Sequence, residues 1–206
     1  MIYRPILFDS ESKVSSKSNA QENRLFDIRN TALIIIDVQE KLISAISNTD
    51  ELKINILKIS EACDLLNVAK YITEQNPEKL GNSVKEILKG NELINISKMS
   101  FSCAECEDLI KELKSRKIKN ILLVGIETHI CILQSAFDLN RIGFNVQVIA
   151  DSVMSRKRID HEIAIKRISQ SGIQVTTTET AIFELCKTAL HPNFRELSRI
   201  VKGTKN

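Results

Sequence analysis

Short apolar runs alternate with longer amphipathic segments along most of the chain. Ala32–Val38 is a continuous run rich in β-branched residues, as expected for a strand buried on both faces. Glu51–Leu66 instead places its apolar residues at helical spacing. The remaining predicted strands are Val68–Thr73, Leu93–Ser97, Ile121–Ile126, Val146–Ala150 and Gln174–Thr177. The remaining predicted helices are Ser83–Leu88, Ala104–Ser115, Ile130–Arg141, Asp160–Ser171, Thr180–Thr188 and Phe194–Val201.

This order of elements predicts an α/β fold of three layers, α/β/α. Six strands separated by helices favour a mostly parallel, doubly wound sheet with helices on both faces. Residues 9–23 are rich in Ser, Lys, Glu and Asn and lack a core-forming pattern. We therefore expect an N-terminal arm over residues 1–24, followed by one domain over residues 25–206, with a loop at Pro77–Gly81.

Composition narrows the class of protein. The 206 residues are 43% hydrophobic and 27% charged, with a net charge of +3, which is typical of a soluble globular domain. The chain has no basic stripe with interleaved aromatic residues, so nucleic acid binding is not expected. Its apolar runs are all shorter than the ~18 residues of a membrane span. Five cysteines without a signal peptide favour free thiols in the cytoplasm.

Three chemically useful side chains follow three predicted strands. Asp37 ends the first strand, Lys98 follows the third, and Cys131 lies in the turn after the fourth. Ligands of such sheets bind at the carboxyl ends of the strands, so the three residues are expected at one edge. A cysteine in the first turn of a helix meets the positive end of the helix dipole and unpaired backbone N–H groups, which favour the thiolate.

Each of these residues also has an ordinary structural interpretation. Cys131 fits a small buried apolar residue, Asp37 fits a helix cap, and Lys98 fits a solvated lysine at the start of a loop. As a group they instead fit a nucleophile, a general base and a cation that holds the base ionised.

Several segments together resemble the isochorismatase-like hydrolase superfamily, and in particular its cysteine-hydrolase branch. The matching stretches are Thr31–Leu42, Thr73–Pro77, Lys98–Ser102, Gly125–Leu139 and Asp151–Ser152. The resemblance extends from about Leu25 to Leu185.

The resemblance implies a catalytic triad of Asp37, Lys98 and Cys131. It also implies a non-proline cis peptide at Ile126–Glu127. The backbone amides of Glu127 and Cys131 would form the oxyanion hole. The residues that would line or support the substrate pocket are Gln39, Phe101 and Thr128. A homo-oligomer, a dimer or larger, is expected by the same resemblance.

Two departures from family patterns narrow the expected reaction. Members that cleave the isochorismate vinyl ether typically carry a small residue in place of the cysteine, so Cys131 favours covalent acyl transfer. Nicotinamidase-type members carry an Asp and two His that bind a metal, and no histidine occurs in the corresponding stretch here. We therefore expect no metal or other cofactor, and hydrolysis of a small amide or carbamoyl C–N bond through a cysteine thioester. The alternatives are a non-catalytic scaffold on this fold and a vinyl ether hydrolase.

Other motifs leave further possibilities open. Cys103 and Cys106 form a Cys-x-x-Cys that is either a redox pair or two incidental thiols. His129 is a candidate base because it lies two residues before Cys131. His161 is expected on a solvated helix face. The basic cluster Arg156–Arg158 fits either an anionic substrate or a solvated loop.

Overall fold

The computed structural model describes residues 25–88 and 93–203, which form one sheet between two layers of helices. The strands are β1 (Thr31–Ile36), β2 (Ala69–Gln75), β3 (Leu93–Lys98), β4 (Asn120–Ile126), β5 (Asn145–Met154) and β6 (Gln174–Thr176). The α-helices are α1 (Glu40–Ile43), α2 (Asp50–Leu66), α3 (Pro77–Leu80), α4 (Glu107–Ser115), α5 (Leu133–Arg141), α6 (Arg158–Gln170), α7 (Thr178–Cys186) and α8 (Phe194–Lys202). Single 3-10 turns cover Ile28–Asn30, Lys85–Leu88 and Cys103–Glu105, and a π-helical turn covers Thr128–Ile132.

The strand order is β3-β2-β1-β4-β5-β6, and all neighbouring pairs run parallel. The predicted doubly wound α/β fold is therefore confirmed. The chain reverses its direction of winding between β1 and β4. In open parallel sheets this switch point leaves a crevice at the carboxyl ends of the strands, where ligands bind.

The sheet separates two apolar cores. Successive side chains of a strand point to opposite faces, so Leu33 and Ile35 of β1 pack toward α2, α7 and α8. Ala32, Ile34 and Ile36 pack on the other face, with α4, α5 and α6. Every residue of β1 is buried, which explains why its sequence lacks the polar alternation of a half-exposed strand.

Gly125 allows the two central strands to approach each other closely at the switch point. Its φ is +117°, and an added Cβ would lie 2.1 Å from the carbonyl oxygen of Ile36. Only glycine fits there without moving the backbone. This close approach sets the spacing between the ends of β1 and β4.

Local differences from the sequence prediction have simple causes. The loop predicted at Pro77–Gly81 contains the short helix α3, which begins with proline at a position that suits it. The helix predicted over Ala104–Ser115 begins instead with a separate 3-10 turn, capped by the Ser102 hydroxyl, before α4. The predicted N-terminal arm lies outside the described residues. In the described part of the chain, none of the helices is long and apolar enough to cross a membrane.

Candidate active site

Asp37 follows β1 directly and lies at the switch point. Its backbone N–H donates to the Thr73 carbonyl oxygen at 3.0 Å, which ties it to the neighbouring strand β2. The Thr73 hydroxyl donates to Oδ1 at 2.7 Å, and the Lys98 ammonium group donates to Oδ2 at 2.6 Å. The carboxylate is fully buried, so these partners replace the water it loses.

Lys98 is the last residue of β3, and its side chain is only 1% exposed. Besides Asp37, its ammonium group donates to the carbonyl oxygens of Ser100 and Phe101, each at 3.1 Å. A lysine has three N–H donors, so all of them are satisfied. The cation is therefore held in one position against the carboxylate.

Cys131 lies in the π-helical turn that follows β4. The Asp37 carboxylate and the backbone N–H of Glu127 lie close enough to its thiol to change the pKa of that thiol, Asp37 raising it and Glu127 lowering it. The thiol donates its one proton to the Gln75 side-chain oxygen, 3.6 Å from the sulfur. The Ile126–Glu127 peptide is cis, as the resemblance implied. The structure therefore brings the three candidate catalytic side chains together.

The buried surroundings raise the pKa of the Cys131 thiol far above its usual range. Burial is the largest cause, and the Asp37 carboxylate adds to it, while Lys98 and the Glu127 N–H oppose it. The helix dipole and backbone N–H groups, which were expected to favour the thiolate, are therefore outweighed by burial and by the Asp37 carboxylate. Burial also raises the pKa of Asp37, against the opposing effects of Lys98 and Thr73, and a carboxylate with a raised pKa is a stronger base.

A cavity of about 240 Å³ opens in front of Cys131. Its lining residues are Leu42, Ala45, Gln75, Leu80, Phe101, Glu127, Ile130, Cys131 and Arg156. Asp37 and Lys98 lie behind the thiol and do not line the cavity. A ligand in the cavity therefore meets the sulfur and not the ion pair behind it.

The three predicted pocket residues occupy different places. Phe101 lines the cavity, whereas Gln39 and Thr128 are fully buried behind its wall. The Gln39 side-chain amide is hydrogen-bonded to the backbone N–H and carbonyl groups of Gln75 and to the Gly81 carbonyl oxygen. The Thr128 hydroxyl pairs with Nδ1 of His161 at 3.0 Å.

Glu127 and Arg156 form an ion pair in the cavity wall. The Arg156 Nε lies 3.0 Å and 3.1 Å from the two carboxylate oxygens, and the Arg156 backbone N–H donates to the same carboxylate. The Glu127 side chain is only 7% exposed, so the pairing keeps a buried carboxylate satisfied. All three basic residues of the cluster are exposed, but only Arg156 lines the cavity, so Arg156 belongs to the site and Lys157 and Arg158 do not.

Sequence reasoning assigned no individual role to Thr73 or Gln75, and it left Arg156 open between a site for an anionic substrate and a solvated loop. Thr73 and Gln75 lie within a stretch that matches the family, and Gln75 ends its strand as Asp37 and Lys98 do, so a signal was present. His129 pairs with the Ser155 hydroxyl at 2.9 Å, and His161 is half-buried rather than solvated, with its pKa lowered by burial. Within the described ranges, no group of three or more His, Cys, Asp or Glu residues could hold a metal ion.

Comparison with known proteins shows the family to which this chain belongs. The family model for the isochorismatase domain matches residues 31–180. Isochorismatase domain-containing protein 2 of Danio rerio is 35% identical over 174 residues, which cover 84% of this chain and 87% of that protein. The chain therefore belongs to the isochorismatase family of hydrolases.

Solved structures agree with this assignment. The MAR1 ribonuclease of Caenorhabditis elegans superposes with a TM-score of 0.80 at 33% identity, covering 87% of this chain and 93% of that one. YcaC of Pseudomonas aeruginosa, solved with hexane-2,5-diol and covalent acrylamide, gives a TM-score of 0.82 at 20% identity, covering 88% and 92%. The second likeness concerns the fold alone.

Proposed function

We propose that this protein is a cysteine hydrolase that cleaves the C–N bond of a small amide or carbamoyl compound. One observation carries the proposal. The Asp37 carboxylate is hydrogen-bonded to the Lys98 ammonium group and lies close enough to the Cys131 thiol to raise the pKa of that thiol, and of these three groups only the thiol faces the cavity. This is the arrangement of a nucleophile, its base and the group that orients the base.

In the first half of the reaction, the Cys131 sulfur attacks the carbonyl carbon while its proton passes to Asp37. The carbonyl oxygen becomes an oxyanion, which the backbone N–H groups of Glu127 and Cys131 stabilise. Collapse of this intermediate breaks the C–N bond. The leaving nitrogen takes the proton from Asp37 and departs as a neutral amine or ammonia, leaving an acyl or carbamoyl thioester on Cys131.

In the second half, Asp37 takes a proton from water as the water oxygen attacks the thioester carbon. The C–S bond breaks, the acid is released, and the sulfur recovers its proton from Asp37. Lys98 keeps its proton throughout and holds the carboxylate in line with the sulfur. The raised pKa of Cys131 fits this scheme, because the thiol keeps its proton until a carbonyl group is present to accept the sulfur.

The cavity favours a small substrate over a polymer. Its volume of about 240 Å³ lies below the range of about 300–1,000 Å³ that is typical of sites for drug-sized ligands. Because a relative carries the name ribonuclease, RNA is included as a substrate in the test. The Cys131 thiol makes acyl transfer the better explanation of this site than vinyl ether hydrolysis.

Self-association is proposed from the family resemblance, and light scattering measures it directly.

The proposal is tested with a panel of small amides, ureas and carbamoyl compounds, scored by ammonia release, with isochorismate and RNA as separate arms. We expect release from at least one panel member. Rapid quenching followed by mass spectrometry should find the acyl or carbamoyl group on the peptide that contains Cys131.

Cys131→Ala should abolish turnover, since loss of a nucleophile costs about 10⁴-fold or more. The matched control is Cys186→Ala, which removes a thiol on α7, away from the cavity. Full turnover by the Cys131→Ala protein, or cleavage of RNA or isochorismate alone, contradicts the proposal.

A further inference from the structure

We infer that Gln75 is the specificity-determining residue of the cavity, and that it selects an uncharged primary carboxamide or carbamoyl group. The inference rests on the proposed function, because it names the substrate class of the same site. Gln75 is the last residue of β2, and its side chain lines the cavity beside the nucleophile. Its oxygen accepts from the Cys131 thiol at 3.6 Å, and its nitrogen donates to the Met99 carbonyl oxygen at 3.5 Å.

Gln75 is fixed in place by a second glutamine. The buried Gln39 accepts from the Gln75 backbone N–H at 2.8 Å and donates to the Gln75 carbonyl oxygen at 3.0 Å. A further bond of 2.6 Å to the Gly81 carbonyl oxygen anchors Gln39. Gln39 thus fixes the backbone of Gln75 through both its N–H and its carbonyl group, while the Gln75 side chain remains available to a ligand.

The side-chain contacts of Gln75 are ones that a ligand can replace. The contact with Met99 is at the long end of N–H···O geometry, and the contact with the thiol is lost when the proton of Cys131 moves to Asp37. At that moment the Gln75 oxygen needs a new donor. A substrate whose carbonyl oxygen faces the Glu127 N–H would direct its N–H group at this oxygen, and an ester would leave the oxygen unpaired.

The rest of the lining selects against charge. In the described part of the chain, Glu127 and Arg156 are the only charged side chains that line the cavity, and they pair with each other. The other walls are mainly apolar, and they are Leu42, Ala45, Leu80, Phe101 and Ile130. An uncharged amide with a short apolar substituent matches this surface.

The test uses alkylation of Cys131, which requires no turnover. Rates are measured at one pH by mass spectrometry for iodoacetamide, which carries N–H donors, for methyl iodoacetate, which has none, and for anionic iodoacetate. Each ratio is normalised to the same ratio for glutathione. Because both reagents react with the same thiolate, a change in the pKa of Cys131 cancels from the ratio.

In the wild type we expect a normalised preference for iodoacetamide over the ester of about 10-fold, the size of one hydrogen bond between neutral partners. Gln75→Leu and Gln75→Ala should reduce it to about 1. Gln75→Glu keeps an acceptor oxygen and should retain the preference, although both rates fall. The control is Gln134→Leu, an exposed glutamine on α5, which should leave the ratio unchanged.

A wild-type ratio near 1 overturns the inference, and so does a ratio that survives in both Gln75→Leu and Gln75→Ala. A normalised preference for iodoacetate over iodoacetamide overturns the assignment of an uncharged ligand. Absence of hydrolysis in the substrate panel contradicts the proposed function but leaves these ratios unaffected, so the two failures are distinguishable.

Discussion

Two pairs of lysine and aspartate lie at opposite ends of the sheet, and each has a cysteine nearby. At the carboxyl ends of the strands, Lys98 and Asp37 lie beside Cys131. Near the amino end of β2, Lys70 and Asp64 lie near Cys63. In both pairs the nitrogen and oxygen are 2.6 Å apart, and each cysteine lines a cavity, of about 240 Å³ at Cys131 and about 490 Å³ at Cys63.

The two groups differ in what surrounds the sulfur. Cys63 lies in the last turn of α2, near the negative end of the helix dipole, and it packs in the apolar core. Cys131 lies in the first turn after β4, where the backbone N–H of Glu127 lowers the pKa of its thiol against the effect of burial. The Asp64 side chain is 22% exposed, whereas that of Asp37 is fully buried and lies close enough to the Cys131 thiol for each to shift the pKa of the other. Position at the switch point, and not residue type, therefore distinguishes the proposed active site from the pair at Lys70 and Asp64.

Replacing each of the two aspartates by asparagine tests this comparison, and it has the largest expected effect. Asp37→Asn removes the proposed base and should lower kcat/KM by about 10³-fold, within the range for loss of general base catalysis. Asp64→Asn should change kcat/KM less than about 2-fold, because Asp64 is part of the structural pair only. The measurement is initial rates with an amide from the substrate panel. A comparable loss in both variants would remove the functional distinction between the two groups.

Removing each lysine sharpens the comparison in stability. Lys98→Met leaves the buried Asp37 without its cation and should lower the free energy of unfolding by about 3–5 kcal/mol. Lys70→Met should cost about 1–2 kcal/mol, because the partner Asp64 reaches solvent. Urea unfolding followed by circular dichroism measures both values.

The double variant Asp37→Leu with Lys98→Met is the control for that experiment. It removes both charges at once and should recover much of the lost stability without recovering activity. If it is as unstable as Lys98→Met alone, loss of packing rather than an uncompensated charge explains the effect.

The smallest effect concerns pH and Cys63. Burial raises the pKa of Cys63 to about 12. A raised folded-state pKa means that the stability it contributes is present below the unfolded pKa of about 9 and is lost as the pH rises toward 12. Between pH 8 and pH 10 this amounts to about 1.4 kcal/mol. Cys63→Ala should therefore show a shallower loss of unfolding free energy over this interval. An unchanged slope would show that Cys63 ionises equally in both states.

Much of the fold was predictable because β1 and its neighbours carry strong local signals. The continuous apolar run of β1 predicted a strand buried on both faces, and the three strand-end residues could be assigned to one edge by topology alone. The element boundaries were less predictable. β5, for example, continues four residues past Ala150 to Met154, through the polar pair Asp151 and Ser152, whose side chains bond to Thr178.

The immediate surroundings of the nucleophile depend on contacts that sequence spacing does not encode. The link from Gln39 through Gln75 to Cys131 joins three elements, and the pairing of Glu127 with Arg156 joins two more. The direction of the Cys131 pKa shift was mispredicted for the same reason, because the helix dipole is a local property whereas burial and the nearby Asp37 depend on the whole fold.

Lys98 belongs to β3, which lies at the edge of the sheet and pairs with β2 on one side in the described part of the chain. Local unfolding of β3 alone would separate the Lys98 ammonium group from Asp37. A buried carboxylate without its cation takes up a proton and can no longer accept one from sulfur. Local opening of an edge strand requires less free energy than global unfolding. Heat or mild denaturant should therefore abolish the proposed hydrolase activity while most of the sheet remains folded.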